Sequence, residues 1–299
     1  MSKQEQKDAY TRYLTERLDS GESKNIVIST TVDLIIQKAK ESDRVRMLDV
    51  GCFSGAMLNR IRSEVPVEIR GRVEFVGVDI DEEALGLGRQ KYSDLTLVRG
   101  EVLGTEFSDL GTFDILVMSN IIHEIIPDGT MVDKDRWAAV DPVISRAGDL
   151  LKPNGQLVIL DGLRPDEDAT EMRVMFSDSR ASDLFELFAK EYHGFHIELT
   201  KLAENSYITR LKDLAAFLTK ARYVGEKYWP IESSQIYQYF TAAQFIETLH
   251  AMGLITERLE PQEFDQEHLD SIFSQVESKV VMPAKNVLIV ARKQVNSDR

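Results

Sequence analysis

The chain has 299 residues, 43% of them hydrophobic, enough for one large α/β domain or one domain with an inserted subdomain. Its 36 basic and 50 acidic side chains leave a formal net charge of −14, which argues against a non-specific nucleic-acid or anionic-membrane surface, because phosphate binding rests on clustered Lys and Arg. The single cysteine excludes an internal disulfide framework and fits a reducing cytoplasm; residues 1–20 lack the apolar stretch of a secretory leader, and no apolar run approaches the ~18 residues of a membrane span.

In chain order, residues 3–19 read as a polar helix with a thin apolar stripe (Tyr10, Tyr13, Leu14, Leu18), closed by Gly21. A second helix is predicted over 31–40, with Val32, Leu34, Ile35 and Ile36 facing a core. Residues 45–50 are a short apolar run of the kind that forms a buried parallel strand. It stops in a loop with glycines four residues apart, and 56–61 resume with helical spacing. Strand, glycine loop and helix make the first half of a βαβ unit, in which a ligand approaches the backbone closely. The loop has no Gly-Lys-Ser/Thr, so it is not a phosphate cradle, and the aspartate at the strand's end suits a ligand with positive charge or donor groups.

The stretch Asp49-Val50-Gly51-Cys52-Phe53-Ser54-Gly55 resembles the first motif of the class I S-adenosylmethionine (SAM) dependent methyltransferases, Asp-x-Gly-x-Gly-x-Gly, with Phe53 at the middle glycine. The resemblance implies an α/β fold: a doubly wound sheet of seven strands, mostly parallel with the last antiparallel, and here a helical insertion. It also implies SAM as cofactor, with Asp49, Gly51 and Gly55 around it. A second buried strand, 73–81, ends in acids. A carboxylate at such a strand end can accept both hydroxyls of a ribose. By the resemblance Asp79 is that residue and Ile80 packs on the adenine, while Asp81 caps the next helix. After strand 95–99, Glu101 stands where the family carries an acid for the adenine amino group, with Val102 beside it; a glutamate exposed in a turn is the plainer alternative.

Strand 113–119 runs into Asn120-Ile121-Ile122-His123-Glu124-Ile125, which resembles the family's fourth motif, where the strand opens towards both cofactor and substrate. Asn120 is placed at the cofactor. His123 can serve as a general base near neutral pH with Glu124 orienting it, although a histidine in such a turn also packs without touching chemistry. A helix over 140–151 leads to Lys152-Pro153-Asn154-Gly155, close to the family's turn before strand five, and Asp161 ends that strand facing the same crevice.

Residues 163–240 break the alternation. They are read as helical, around 182–192 and 211–223, with no clear strand. Six of nine tyrosines and Trp229 fall there, as a lid over the substrate or as the filling of their own core. The basic run 201–227 reads as a solvated helix face. Thr241 to Gln244 is a capping box, 254–259 a sixth strand and 286–292 a seventh. The expected divisions are helices over the cleft (1–44), SAM-binding core (45–162), helical lid (163–240) and the rest of the core sheet (241–299). His193 and His196 lack the companions of a metal site, and Cys52 lacks a basic neighbour that would activate it. The implied activity is methyl transfer to an O or N nucleophile of a small molecule, lipid or peptide. The alternatives are a catalytically silent SAM-binding module, or an RNA methyltransferase, which the acidity disfavours.

Overall fold

The computed structural model describes residues 24–104, 110–125, 133–276 and 282–295. The predicted helix over 3–19 lies outside them. Helix α1 (Asn25–Glu41) begins six residues earlier than its apolar pattern suggested. It is followed by β1 (Val45–Val50), α2 (Ala56–Glu64), a short α3 (Val67–Arg70), β2 (Val73–Asp79), α4 (Glu82–Lys91), β3 (Thr96–Arg99) and β4 (Phe113–Ser119). Then come a four-residue α5 (Ile122–Ile125), α6 (Asp133–Leu150) and β5 (Leu151–Gly162). Far along the chain, α10 (Ala242–Ala251), β9 (Leu254–Gln262) and β11 (Asn286–Lys293) complete the main sheet.

The strand order is β3-β2-β1-β4-β5-β11-β9. Pairs among β3, β2, β1, β4 and β5 are parallel, and β11 is antiparallel to both β5 and β9, as the resemblance implied for the last strand. Successive side chains of a strand face opposite sides, and the packing follows that rule. Leu48 and Val50 join one apolar layer with α6 and α10, while Met47 joins the other with α1 and α2. Both faces are covered, which is why β1 and β4 read as near-continuous apolar runs. Each large side chain buried in this way stabilises the fold by roughly 1.5–3 kcal/mol.

Turn chemistry sets the element ends. The Asp81 side chain accepts the Glu83 and Ala84 amides at the start of α4. Thr241 and Gln244 form a complete capping box on α10. Asn154 takes a positive φ of 61° at the turn within β5.

The reading of 163–240 as strand-free is corrected. The segment contains β6 (Glu171–Phe176), α7 (Ser179–Glu191), β7 (Leu199–Ala203), β8 (Ser206–Arg210), α8 (Leu211–Lys220) and a short α9 (Trp229–Glu232). With α11 (Gln266–Ile272) and β10 (Phe273–Val276), inserted between β9 and β11, they build a second sheet in the order β10-β6-β8-β7, antiparallel throughout. These strands were illegible because they are short and polar on one side; β7 buries none of its five residues. The aromatics mostly fill this unit's own core: Phe176 alone makes ring contacts with Phe185, Tyr207, Phe217 and Phe273.

Candidate active site

The carboxyl ends of β1, β2, β4 and β5 converge on one edge of the sheet, the usual place for a ligand in an open α/β fold. The glycine loop is tied down there. Gly51 and Cys52 donate their amides to the Val78 carbonyl at 2.8 and 3.1 Å, and Phe53 donates its amide to Asp79 Oδ2 at 2.7 Å. The other Asp79 oxygen accepts the Asp81 amide at 2.9 Å. Burial raises the Asp79 carboxyl above its usual range, against these backbone donors, which lower it. Gly51, Phe53 and Gly55 all have positive φ, 73°, 51° and 77°. A Cβ on Gly51 would stand 2.6 Å from Ile121, and one on Gly55 would stand 3.1 Å from Leu97. Both glycines are therefore required by the loop's own conformation and packing.

Asp49 is the most unusual group at this edge. It sits inside β1, 1% exposed, and neither carboxyl oxygen has a hydrogen-bond partner among the described residues. Burial pushes its carboxyl up to about 7, with Lys24 pulling down and Asp79 adding to the rise. An orphaned buried carboxyl is costly, and a ligand carrying an ammonium or donor groups is the natural partner. Cys52 beside it is buried, its thiol pushed up by burial and by the Asp49 and Asp79 charges, so it is no nucleophile. Ile80 is 68% exposed at the end of β2, Glu101 is exposed after β3, and Val102 leans on the core. Asn120 turns the chain after β4 with φ 54° and donates its amide to the Leu160 carbonyl at 2.7 Å. This set fits SAM: an acid for a cationic end, an acid at a strand end for a ribose, and an exposed apolar face for a base.

His123 lies across the same edge, 8% exposed. Its Nδ1 donates to Asp161 Oδ1 at 2.7 Å, and its Nε2 stands 3.5 Å from Glu124 Oε1. The fully buried Asp161 carboxylate also accepts the amides of Ile122 at 2.9 Å and Gly162 at 2.8 Å, so it is locked in place. Burial works against a charged imidazole here, but the Asp161 charge and hydrogen bond, with Glu124 adding to them, carry the ring up to about 9. Glu124 in turn accepts the Gln235 side-chain amide at 2.8 Å, and the Tyr237 ring lies 4.5 Å from the imidazole.

His123 and Glu124 stand side by side here, and the sequence placed Asp161 in the same crevice, but not as the partner of His123; Gln235 and Tyr237 did not emerge from it at all. The signal for Asp161 was its place at the end of strand five. Only the register of β4 on β5, with Ser119 opposite Leu160, sets the two strand ends level and puts the aspartate against the histidine.

Residues 48–157 match the family model of a methyltransferase domain. No curated protein sequence matches the chain significantly. Among solved structures, an S-adenosylmethionine dependent methyltransferase from Mesorhizobium loti superposes with a TM-score of 0.52 at 13% identity, covering 92% of this chain and 100% of its own. An O-methyltransferase family protein from Burkholderia thailandensis (TM-score 0.50, 9% identity) covers 97% of this chain and 60% of its own. The DszA carbon methyltransferase (TM-score 0.50, 14% identity) covers 92% and 54%. At these identities the likeness is one of fold.

Proposed function

We propose that this protein, whose residues 48–157 match the family model of a methyltransferase domain, moves the methyl group of SAM to an O or N nucleophile of a small molecule, lipid or peptide, with His123 as general base. The observation that carries the reading is the buried His123–Asp161 pair and the orphaned Asp49 carboxyl, at the carboxyl edge of the same parallel sheet. In this reading Asp49 takes the cationic end of the cofactor, Asp79 the ribose, Ile80 and Val102 the adenine faces, and Glu101 its amino group. Gly51 and Gly55 shape the loop around it, and Asn120 closes the floor.

When bound, SAM supplies a methyl carbon already activated by the sulfonium, so the protein's part is alignment, exclusion of water and a place for the acceptor's proton. Asp161 holds the imidazole by Nδ1, which leaves Nε2 as the atom that takes that proton. Glu124, 3.5 Å from Nε2 and tethered by Gln235, accepts a hydrogen bond from the acceptor or from the charged ring. An acceptor that must lose a proton, a hydroxyl or an ammonium, is the class for which such a base is useful.

A base held up to about 9 is protonated at neutral pH, and only its neutral form can act. The rate of methyl transfer should therefore rise about tenfold per unit as pH increases through neutrality and level off near pH 9. The test uses methyl-labelled SAM with a panel of phenols, hydroxy acids and amines. His123→Gln should lose about 10²- to 10⁴-fold in kcat and flatten the pH profile, while still binding SAM. A His123→Gln enzyme with full kcat and the same pH profile would remove the base from the mechanism.

A further inference from the structure

The small unit carries an ion pair that its own fold gives no reason to keep. Lys220 closes α8 with its side chain fully buried, its Nζ 3.4 Å from Glu232 Oε2, and Glu232 is equally buried. The sequence pattern suggested a solvated basic face here, and the structure corrects that for Lys220. Replacing such a pair with apolar side chains of similar volume is often neutral or stabilising, so burial alone does not account for it. Its neighbour does. The ammonium stands 3.7 Å from the centroid of the Tyr237 ring, and the Tyr237 hydroxyl donates to the same Glu232 oxygen. The same ring also meets the system already described: the Tyr237 and His123 rings lie 4.5 Å apart, tilted by 55°.

Close approach is built into the backbone. A Cβ on Gly162, the residue after Asp161, would stand 2.1 Å from the Tyr237 carbonyl oxygen. The same segment is tied twice more, by Gln235 to Glu124 and by the Tyr192 hydroxyl, which donates to the Gln235 carbonyl at 3.1 Å. We propose that Tyr237 is a positioning residue for methyl transfer: its ring, anchored by Glu232 and Lys220, is the wall that keeps the His123 imidazole on Asp161 with Nε2 turned to the acceptor. The assignment rests on His123 being the base. It makes the inserted unit part of the catalytic apparatus, contributing a second line of residues behind the histidine.

Among the described residues, the titratable and charged groups around His123 are Asp161 from β5, Glu124 from its own helix, and Tyr237 with Lys220 and Glu232 behind it; Tyr239 lies in the field of Asp161. Water admitted by loss of the ring would weaken both the burial that lowers His123 and the attractions that raise it. The net displacement is upward, to about 9 from 6.5, so relaxing both moves the midpoint down.

The experiment is a ¹³C-detected NMR titration of the histidine side chains in the full chain, with the His123 resonance assigned by its loss in His123→Gln. Tyr237→Leu should lower the His123 midpoint by about half a pH unit or more, and Tyr237→Phe, which keeps the ring, should restore it to within about 0.2. Should Tyr237→Leu fail to fold, the double variant Lys220→Met, Glu232→Gln removes the anchor without stranding a buried charge, and it should lower the midpoint in the same direction. A folded Tyr237→Leu or double variant with an unmoved His123 midpoint, or a Tyr237→Phe that titrates like the leucine, overturns the proposal. Neither readout uses turnover, so failure of the base assignment, seen as full kcat in His123→Gln, is distinguished from failure of the positioning role.

Discussion

The buried Asp49 carboxyl costs the fold stability at neutral pH. It is held at about 7 against an ordinary 3.8, so the folded protein binds that proton more tightly than the unfolded chain does. The penalty is absent below about pH 3.8, grows as pH rises, and is complete above 7. Asp49→Asn should therefore stabilise the free protein at pH 8 by an amount on the order of 1–4 kcal/mol, and hardly at all at pH 4. Denaturant unfolding at the two values measures this. SAM affinity should fall roughly 10- to 100-fold in the same variant. A variant that is neither more stable at pH 8 nor weaker in binding would assign the orphaned carboxyl no ligand. The sign is reversed for His123, whose raised midpoint stabilises the fold below about pH 6.5, a contribution lost as pH climbs through 9.

At the scale of elements, the glycine loop is a device for ending β1 and starting α2 within five residues while leaving amides on Val78 and Asp79. Its glycines answer to the loop before they answer to any ligand. Gly55→Val, which adds a branched Cβ at φ 77° and 3.1 Å from Leu97, should destabilise the protein by about 2–3 kcal/mol in the complete absence of cofactor. Unchanged stability with lost SAM affinity would return the clash to the ligand side. Phe53 bears on the same point, since it adopts the left-handed conformation that a glycine takes most easily and is held there by its amide on Asp79. The substitution of the family's middle glycine is thus accommodated by the backbone. Strand ends and glycines of this kind were legible in the sequence because strand, turn and cap chemistry are local. The carboxylate partner of His123 was not, because 38 residues separate the pair and only strand register unites them.

At the scale of the molecule, the inserted unit is a packed body with its own sheet and aromatic core, and its 235–239 segment reaches the main core through Ile236 and Tyr239 and His123 through Tyr237. A dense core does not loosen and re-form cheaply, so ligand effects should concentrate where the units meet. Hydrogen exchange with and without SAM should show slower exchange at 120–125 and 235–239, with α7 and α8 unchanged. Uniform protection across 163–240 would instead mean that the whole unit orders on binding, as a lid does. The choice between a lid and a self-filled core, open on composition alone, depends on what the aromatics touch. Tyr207, Tyr223 and Trp229 touch their own unit's core, and Tyr237 touches His123.

The sequence alone determined the main sheet and its strand-end acids, since apolar runs, a glycine loop and Pro-Asn-Gly punctuation act over a few residues each. It also placed His123 and Glu124 at the edge where ligands bind. Only the tertiary structure decided that 163–240 contains strands, because β6 and β8 are specified by partners as distant as β10 rather than by their own patterns. Only it decided that Lys220 is buried, because a lysine's surroundings depend on what folds over it. And only parallel pairing of β4 with β5, and the seat left by Gly162 for Tyr237, brought Asp161 and Tyr237 to the histidine from distant stretches later in the chain.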